Sequence, residues 1–186
     1  MEEQKAMSDT FKIEELALPG VFLIKPKVHS DSRGLSAVPY AIDDFAAIGI
    51  TSNFVQDYTS RSIQGTIRGI HYQKSPHAQD KLVRCSWGKI FDVVADFDPN
   101  SPAFGTYVST VLSGDEQSML FVPGKYAHGF CVVADEAITE YKMSDVYALE
   151  YASGIRWDDP ILHIDWPVST PIVSEQDMAW SFLPLR

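Results

Sequence analysis

Cysteine is scarce in this chain: among 186 residues only Cys85 and Cys131 occur, each inside an apolar run, LVRCSW and HGFCVVA. That excludes a disulfide-stapled scaffold, and leaves two small buried hydrophobes in a reducing, cytoplasmic compartment. Long apolar runs are missing as well. No stretch approaches the roughly 18 apolar residues of a membrane helix. The acidic start MEEQKAMSDTF lacks the charged-then-apolar order of a secretory signal. Positive charge is sparse and scattered, with 15 Lys and Arg against 25 Asp and Glu and a net charge of −10. Such a surface repels a phosphate backbone, which excludes a nucleic-acid interface. No GxSxG elbow, P-loop or Rossmann glycine fingerprint occurs, so three common catalytic and nucleotide-binding layouts are excluded too. A soluble cytoplasmic protein with no nucleic-acid and no membrane partner is expected.

What the chain does have is length and a β pattern. A chain of this size buries about 70% of its unfolded surface, so no disulfide or metal staple is needed. From Val21 to Pro160 short β-rich runs alternate with turn residues. Strands are expected at Val21–Lys27, Gly34–Tyr40, Asn53–Thr59, Thr66–Gln73, Lys81–Trp87, Lys89–Asp98, Thr106–Leu112, Met119–Pro123, Gly129–Ala134 and Ala137–Ser144. Asp-Pro-Asn-Ser-Pro at 98–102, Ser-Gly-Asp-Glu at 113–116 and Pro123-Gly124 supply turn chemistry. Helical pattern is confined to Ala41–Gly49, where Asp43 and Asp44 suit a helix start, and to Ser174–Trp180, where Ser174 is a candidate N-cap. Residues 1–10 read as a loose tail and 11–186 as a single domain, without repeat or linker. The expected fold is mainly β, an antiparallel double-sheet jelly roll of the cupin type with short flanking helices. Such a barrel can enclose a ligand between its sheets, and edge strands that pair across a subunit interface would make it a homodimer.

Two histidines carry the chemical signal, His71 in Arg68-Gly69-Ile70-His71-Tyr72-Gln73 and His128 in Tyr126-Ala127-His128-Gly129-Phe130. Strand alternation puts Ile67, Gly69, His71 and Gln73 on one face. Lys81 opens the next strand, and His128 follows the Pro123-Gly124 turn. A metal-binding cupin generally needs a second histidine two residues after the first, plus a carboxylate; Gln73 occupies that position, and two isolated histidines do not make a zinc set. An acid–base enzyme with no metal is what this elimination leaves.

An ordered series of motifs then points to a family. Phe54-Val55-Gln56-Asp57, the Arg68–Gln73 segment, Gln79-Asp80-Lys81-Leu82-Val83-Arg84, Phe91-Asp92-Val93, Ser101-Pro102-Ala103-Phe104-Gly105, Ala127-His128-Gly129-Phe130, Trp157-Asp158-Asp159-Pro160, Ile164-Asp165-Trp166-Pro167 and Ser174-Glu175-Gln176-Asp177 follow one another. Together they resemble the nucleotide-sugar 3,5-epimerases typified by dTDP-4-dehydrorhamnose 3,5-epimerase. The resemblance implies a dimeric jelly roll that needs no cofactor and acts on a nucleotide-diphospho-sugar, a 4-keto-6-deoxyhexose. Carbons C3 and C5 flank its ketone, so either proton can be removed if the enolate is stabilised, and returned on the opposite face.

By the same resemblance His71 matches the catalytic base, Asp177 the carboxylate that orients it, Tyr141 the donor on the other face and Lys81 the cation near the C4 oxygen. Arg68 and Arg33 match anion-binding positions for the diphosphate, and Gln56, His128 and Tyr147 line the pocket. Some positions depart from the pattern. In Arg33-Gly34-Leu35-Ser36-Ala37-Val38 the family's stacking ring is Ser36 and its acid is Val38. Tyr58 replaces a common Asn, Asp98 stands where an Arg is frequent, and Lys125-Tyr126 precedes Ala-His-Gly. All lie around the nucleotide handle and leave the proton-transfer set intact. A CDP-linked or otherwise modified hexulose, inversion of a single centre, and a non-catalytic sugar-nucleotide binder are the alternatives left open.

Overall fold

The computed structural model describes residues 10–185, so the tail expected over 1–10 lies outside the described residues except for Thr10. Two antiparallel sheets face each other as a cupin-type jelly roll. The first contains β1 (Phe11–Glu15), β2 (Phe22–Pro26), β5 (Gln56–Ile63), β7 (Lys81–Trp87), β10 (Met119–Val122) and β12 (Glu136–Met143), in the order β1-β2-β10-β7-β12-β5. The second contains β6 (Ile67–Gln73), β8 (Lys89–Ala95), β9 (Tyr107–Ser113), β11 (Ala127–Val132) and β13 (Ala152–Gly154), in the order β13-β6-β11-β8-β9. A separate hairpin joins β3 (Val28–Asp31) to β4 (Gly34–Ala37). Two short helices, α1 (Ile42–Ala47) and α2 (Glu175–Met178), complete the fold.

Period-2 patterning sorts the strands into an inner and an outer face. Between the sheets, Leu23, Val83, Cys85, Leu120 and Ala137 meet Ile90, Val94, Leu112, Phe130 and Val132, almost all without solvent exposure. Each fully buried aliphatic of this kind contributes about 1.5–3 kcal/mol. The outer faces are covered too. Phe45 of α1 packs with Ile24, Leu82 and Met119 on the outside of the first sheet. Ile155, Leu162 and Trp166 of the C-terminal segment pack on Ile70, Val93 and Ala127 outside the second. That wrap carries the chain around to α2, which lands against β6.

Every expected strand is present with ends shifted by a few residues, and both expected helices form. β1, β3 and β13 had no expectation. β1 reads Phe-Lys-Ile-Glu-Glu, a short charged edge strand whose alternation is too brief to register, and such charge is how an exposed edge avoids unwanted pairing.

Candidate active site

A cavity of about 520 Å³ opens between the sheets, and its lining includes His71, Lys81, His128, Tyr141 and Asp177. Gln56, Arg68 and Tyr147 also line it. Of the residues singled out in the sequence, Arg33 alone is elsewhere. It sits in the β3–β4 turn, its side chain is 88% exposed, and its guanidinium pairs with Asp31.

A fault in the alternation of β6 builds the floor. Pairing with β11 sets His71 opposite His128 and Arg68 opposite Phe130, so three steps on β6 match two on β11. The extra residue is a β-bulge. Beyond it the faces exchange, and Arg68 shares the inner face with His71 and Gln73 instead of Ile67 and Gly69, correcting the strict alternation read from the sequence. Gly69 makes the bulge possible. Its φ is +134°, and a Cβ there would lie 2.5 Å from Gly129 Cα, a contact no side chain tolerates.

Asp177 reaches His71 from 106 residues away, its Oδ1 lying 2.6 Å from His71 Nε2. Ser174 caps α2, its hydroxyl accepting from Asp177 N at 3.1 Å as expected of an N-cap. The carboxylate also accepts from Gly69 N and from Trp180 Nε1, each at 3.3 Å. Trp180 fits because β13 offers Gly154 there; a Cβ would come 2.6 Å from the indole. Burial pushes the Asp177 carboxyl up, but the hydrogen bond and charge of His71, with Gly69 N and Trp180, outweigh it and hold the group below the usual carboxylate range. An ionised carboxylate only accepts, so His71 Nε2 is the donor of this pair, and in the neutral ring the lone pair falls on Nδ1.

Two other groups complete the chemistry. Lys81 is buried at 8% exposure, its Nζ lying 3.4 Å from Gln79 O. Burial lowers its pKa to about 8, partly offset by Asp80. Tyr141 pairs with Tyr58 on β5 and Val83 on β7. Burial first, then the charge of Asp92, pushes the Tyr141 phenol well above its ordinary pKa, so the hydroxyl holds its proton.

Gln73, at the position a metal-binding cupin would give to histidine, spends its amide on backbone. Its Nε2 donates to His77 O at 2.7 Å and its Oε1 accepts from Ala148 N at 2.7 Å, tethering the loop that carries Tyr147. Tyr147 N in turn donates to Gln56 Oε1 at 2.7 Å. Among the described residues no three His, Cys, Asp or Glu side chains gather as a metal set. Sequence reasoning gave no role to Trp180, for which no local signal exists, or to Asp92. Asp92 was legible as an acid inside the apolar run Ile90–Ala95; its Oδ1 meets His128 Nε2 at 2.8 Å, and both residues are buried.

A lone pair on one wall, a protonated phenol on another and a buried cation nearby can remove a proton from carbon, hold the enolate and return a proton. Fold and site together define a cupin-type jelly roll carrying acid–base groups in an open inter-sheet cavity. The chain belongs to the dTDP-4-dehydrorhamnose 3,5-epimerase family, whose model matches residues 15–184. It is 42% identical over 162 residues to the dTDP-4-dehydrorhamnose 3,5-epimerase of Shigella flexneri, covering 87% of this chain and 90% of the relative. A crystal structure of the Bacillus anthracis enzyme with TDP and pyrophosphate bound superposes with a TM-score of 0.89 at 38% identity, covering 93% of this chain and 99% of the other. The Legionella pneumophila epimerase in complex with dTDP-4-keto-L-rhamnose has a TM-score of 0.89 at 37% identity, covering 93% of each chain.

Proposed function

We propose that the protein is an enzyme that epimerises C3 and C5 of dTDP-4-dehydro-6-deoxyglucose, in deoxysugar biosynthesis. The observation that carries the reading is the convergence of the His71–Asp177 pair, Tyr141 and Lys81 on one cavity. His71 Nδ1 takes the proton next to the ketone, and Asp177 stabilises the imidazolium that forms. The electron pair of the broken C–H bond moves into an enolate whose C4 oxygen faces the Lys81 ammonium. Tyr141 then donates a proton to the opposite face, which inverts the centre. Proton exchange with solvent resets both groups before the second carbon reacts.

Arg68 suits the diphosphate, since a guanidinium fork matches phosphate oxygens. Gln56, His128 and Tyr147 hold the sugar and the nucleotide around it. We propose further that the active unit is a homodimer. Arg33 lies outside its own cavity on a hairpin that, among the described residues, pairs only with itself, and Leu35 and Val38 beside it are exposed. Placed across a second copy's cavity mouth, that hairpin would bury its apolar side chains and bring Arg33 to the diphosphate.

The test is mass-resolved deuterium uptake from D2O into dTDP- and CDP-linked 4-keto-6-deoxyglucose. Two deuteriums per dTDP-sugar are expected. One deuterium would make the protein a single-centre epimerase, faster uptake by the CDP-sugar would change the handle, and no uptake with either would replace the enzyme with a binding protein.

A further inference from the structure

Asp92 is a carboxylate with no solvent exposure, on the inner face of β8 between Ile90 and Val94. Its Oδ1 meets His128 Nε2 at 2.8 Å, and among the described residues its Oδ2 has no hydrogen-bond partner. Burying such a group with one oxygen unpartnered is unfavourable, and an apolar residue of similar volume would pack there more stably. Asp92 does not line the cavity, so it has no access to a ligand. A line of contacts nevertheless runs from it to the mouth. The His128 ring meets the Tyr141 ring edge-on at 5.6 Å and 81°, and the Tyr141 ring meets Tyr58 at 5.7 Å. Phe130 flanks Tyr141 at 6.5 Å. His128 is itself only 3% exposed, so its ring has little room to turn except as Asp92 directs.

We propose that Asp92, acting through His128, is a positioning residue for Tyr141: it locks the imidazole against the phenol ring and so keeps the hydroxyl aimed at the face opposite His71. The proposal rests on the epimerase reading given above. Proton removal belongs to His71 and Asp177, a hydrogen-bonded pair separate from that of His128 and Asp92, and does not pass through Asp92. Proton return does. The charge of Asp92 acts in the same sense as the packing, since with burial it disfavours the phenolate and keeps the donor loaded.

The experiment follows two quantities in D2O for each variant, total deuterium incorporated into sugar and the fraction of those events that yield inverted product. Wild type should exchange and invert. Asp92→Asn should keep exchange within about threefold while inversion per exchange falls about tenfold, a part of the ~10²–10⁴ that a general acid contributes. In a Tyr141→Phe background, Asp92→Asn should cost nothing more in inversion, because residues acting through one group are not additive. Asp92→Val, which fills the buried site without a charge and leaves the cavity lining untouched, provides the same two readings should Asp92→Asn fold poorly. Exchange and inversion falling in parallel, or the loss persisting in the Tyr141→Phe background, would overturn the proposal and leave the epimerase reading standing. Absence of exchange in wild type would overturn both.

Discussion

The His71–Asp177 and His128–Asp92 pairs are built from the same groups at similar distances, 2.6 and 2.8 Å, and their histidines face each other across β6 and β11. Their surroundings separate them. The His71 side chain is 44% exposed and that of His128 only 3%. The Asp177 carboxylate accepts from His71, Gly69 and Trp180, whereas Asp92 accepts from His128 alone among the described residues. The consequence is opposite. Asp177 is held below the usual carboxylate range, and burial pushes Asp92 above it, partly countered by His128. Donor count and access to water, rather than residue type, decide in which direction the carboxyl of such a pair is shifted.

The largest test of that contrast is deletion of each histidine. His71→Ala should lower deuterium uptake by roughly 10²–10⁴-fold, the contribution of a general base. His128→Ala should weaken binding and inversion while exchange at saturating substrate persists; loss of exchange in His128→Ala but not in His71→Ala would reverse the assignment of the two pairs. Next comes Asp177→Asn. It preserves shape but offers a donor to His71 Nε2, so the wrong ring nitrogen carries the proton, and kcat should fall roughly 100-fold with KM little changed.

Lys81 sharpens the comparison because it is a buried charge on the working side of the cavity. With its pKa at about 8, activity should decline as pH rises through that value and the cation is lost. Stability has the reverse sign. The folded state releases this proton before the unfolded state does, so the cost of the buried charge is full below about pH 8 and fades towards 10.5. Lys81→Met should therefore abolish activity while stabilising the protein by on the order of 3 kcal/mol at pH 7. Urea titrations at pH 7 and 10 should show that gain shrinking. The smallest effect is Ser174→Ala, which removes the cap on α2 and should cost about 1 kcal/mol. Since Ser174 caps the helix that carries Asp177, exchange should slow while inversion per exchange stays constant, readable in the same D2O assay.

Much of this arrangement was legible before folding. The strands from Val21 to Ser144 announce themselves by alternation and turn residues, and Ser174 reads as a cap because its hydroxyl can meet the amide three residues on. The motif series picked out His71, Lys81, Tyr141 and Asp177, all of which line one cavity. Three things were hidden. The bulge at Gly69 turns Arg68 inward, and bulges depend on pairing between strands rather than on either strand alone. Arg33 ends outside its own cavity because the β3–β4 hairpin projects as a separate unit. Trp180 matters only because Gly154 leaves space for it, a relation between residues far apart in the chain.

Local sequence by itself determined the jelly-roll class, through alternation that can bury one face of each strand, and the motif series, by resemblance, offered His71, Tyr141, Lys81 and Asp177 as candidates for base, acid, cation and carboxylate. Tertiary structure alone decided which carboxylate serves which histidine. Asp177 is 106 residues from His71 and Asp92 is 36 from His128, and nothing in either local pattern states those pairings. They follow from strand register and from the C-terminal wrap that sets α2 on β6. Solvent access and donor count then shifted the two carboxyls in opposite directions, because a charge is stabilised only by the donors and water that the finished fold leaves around it.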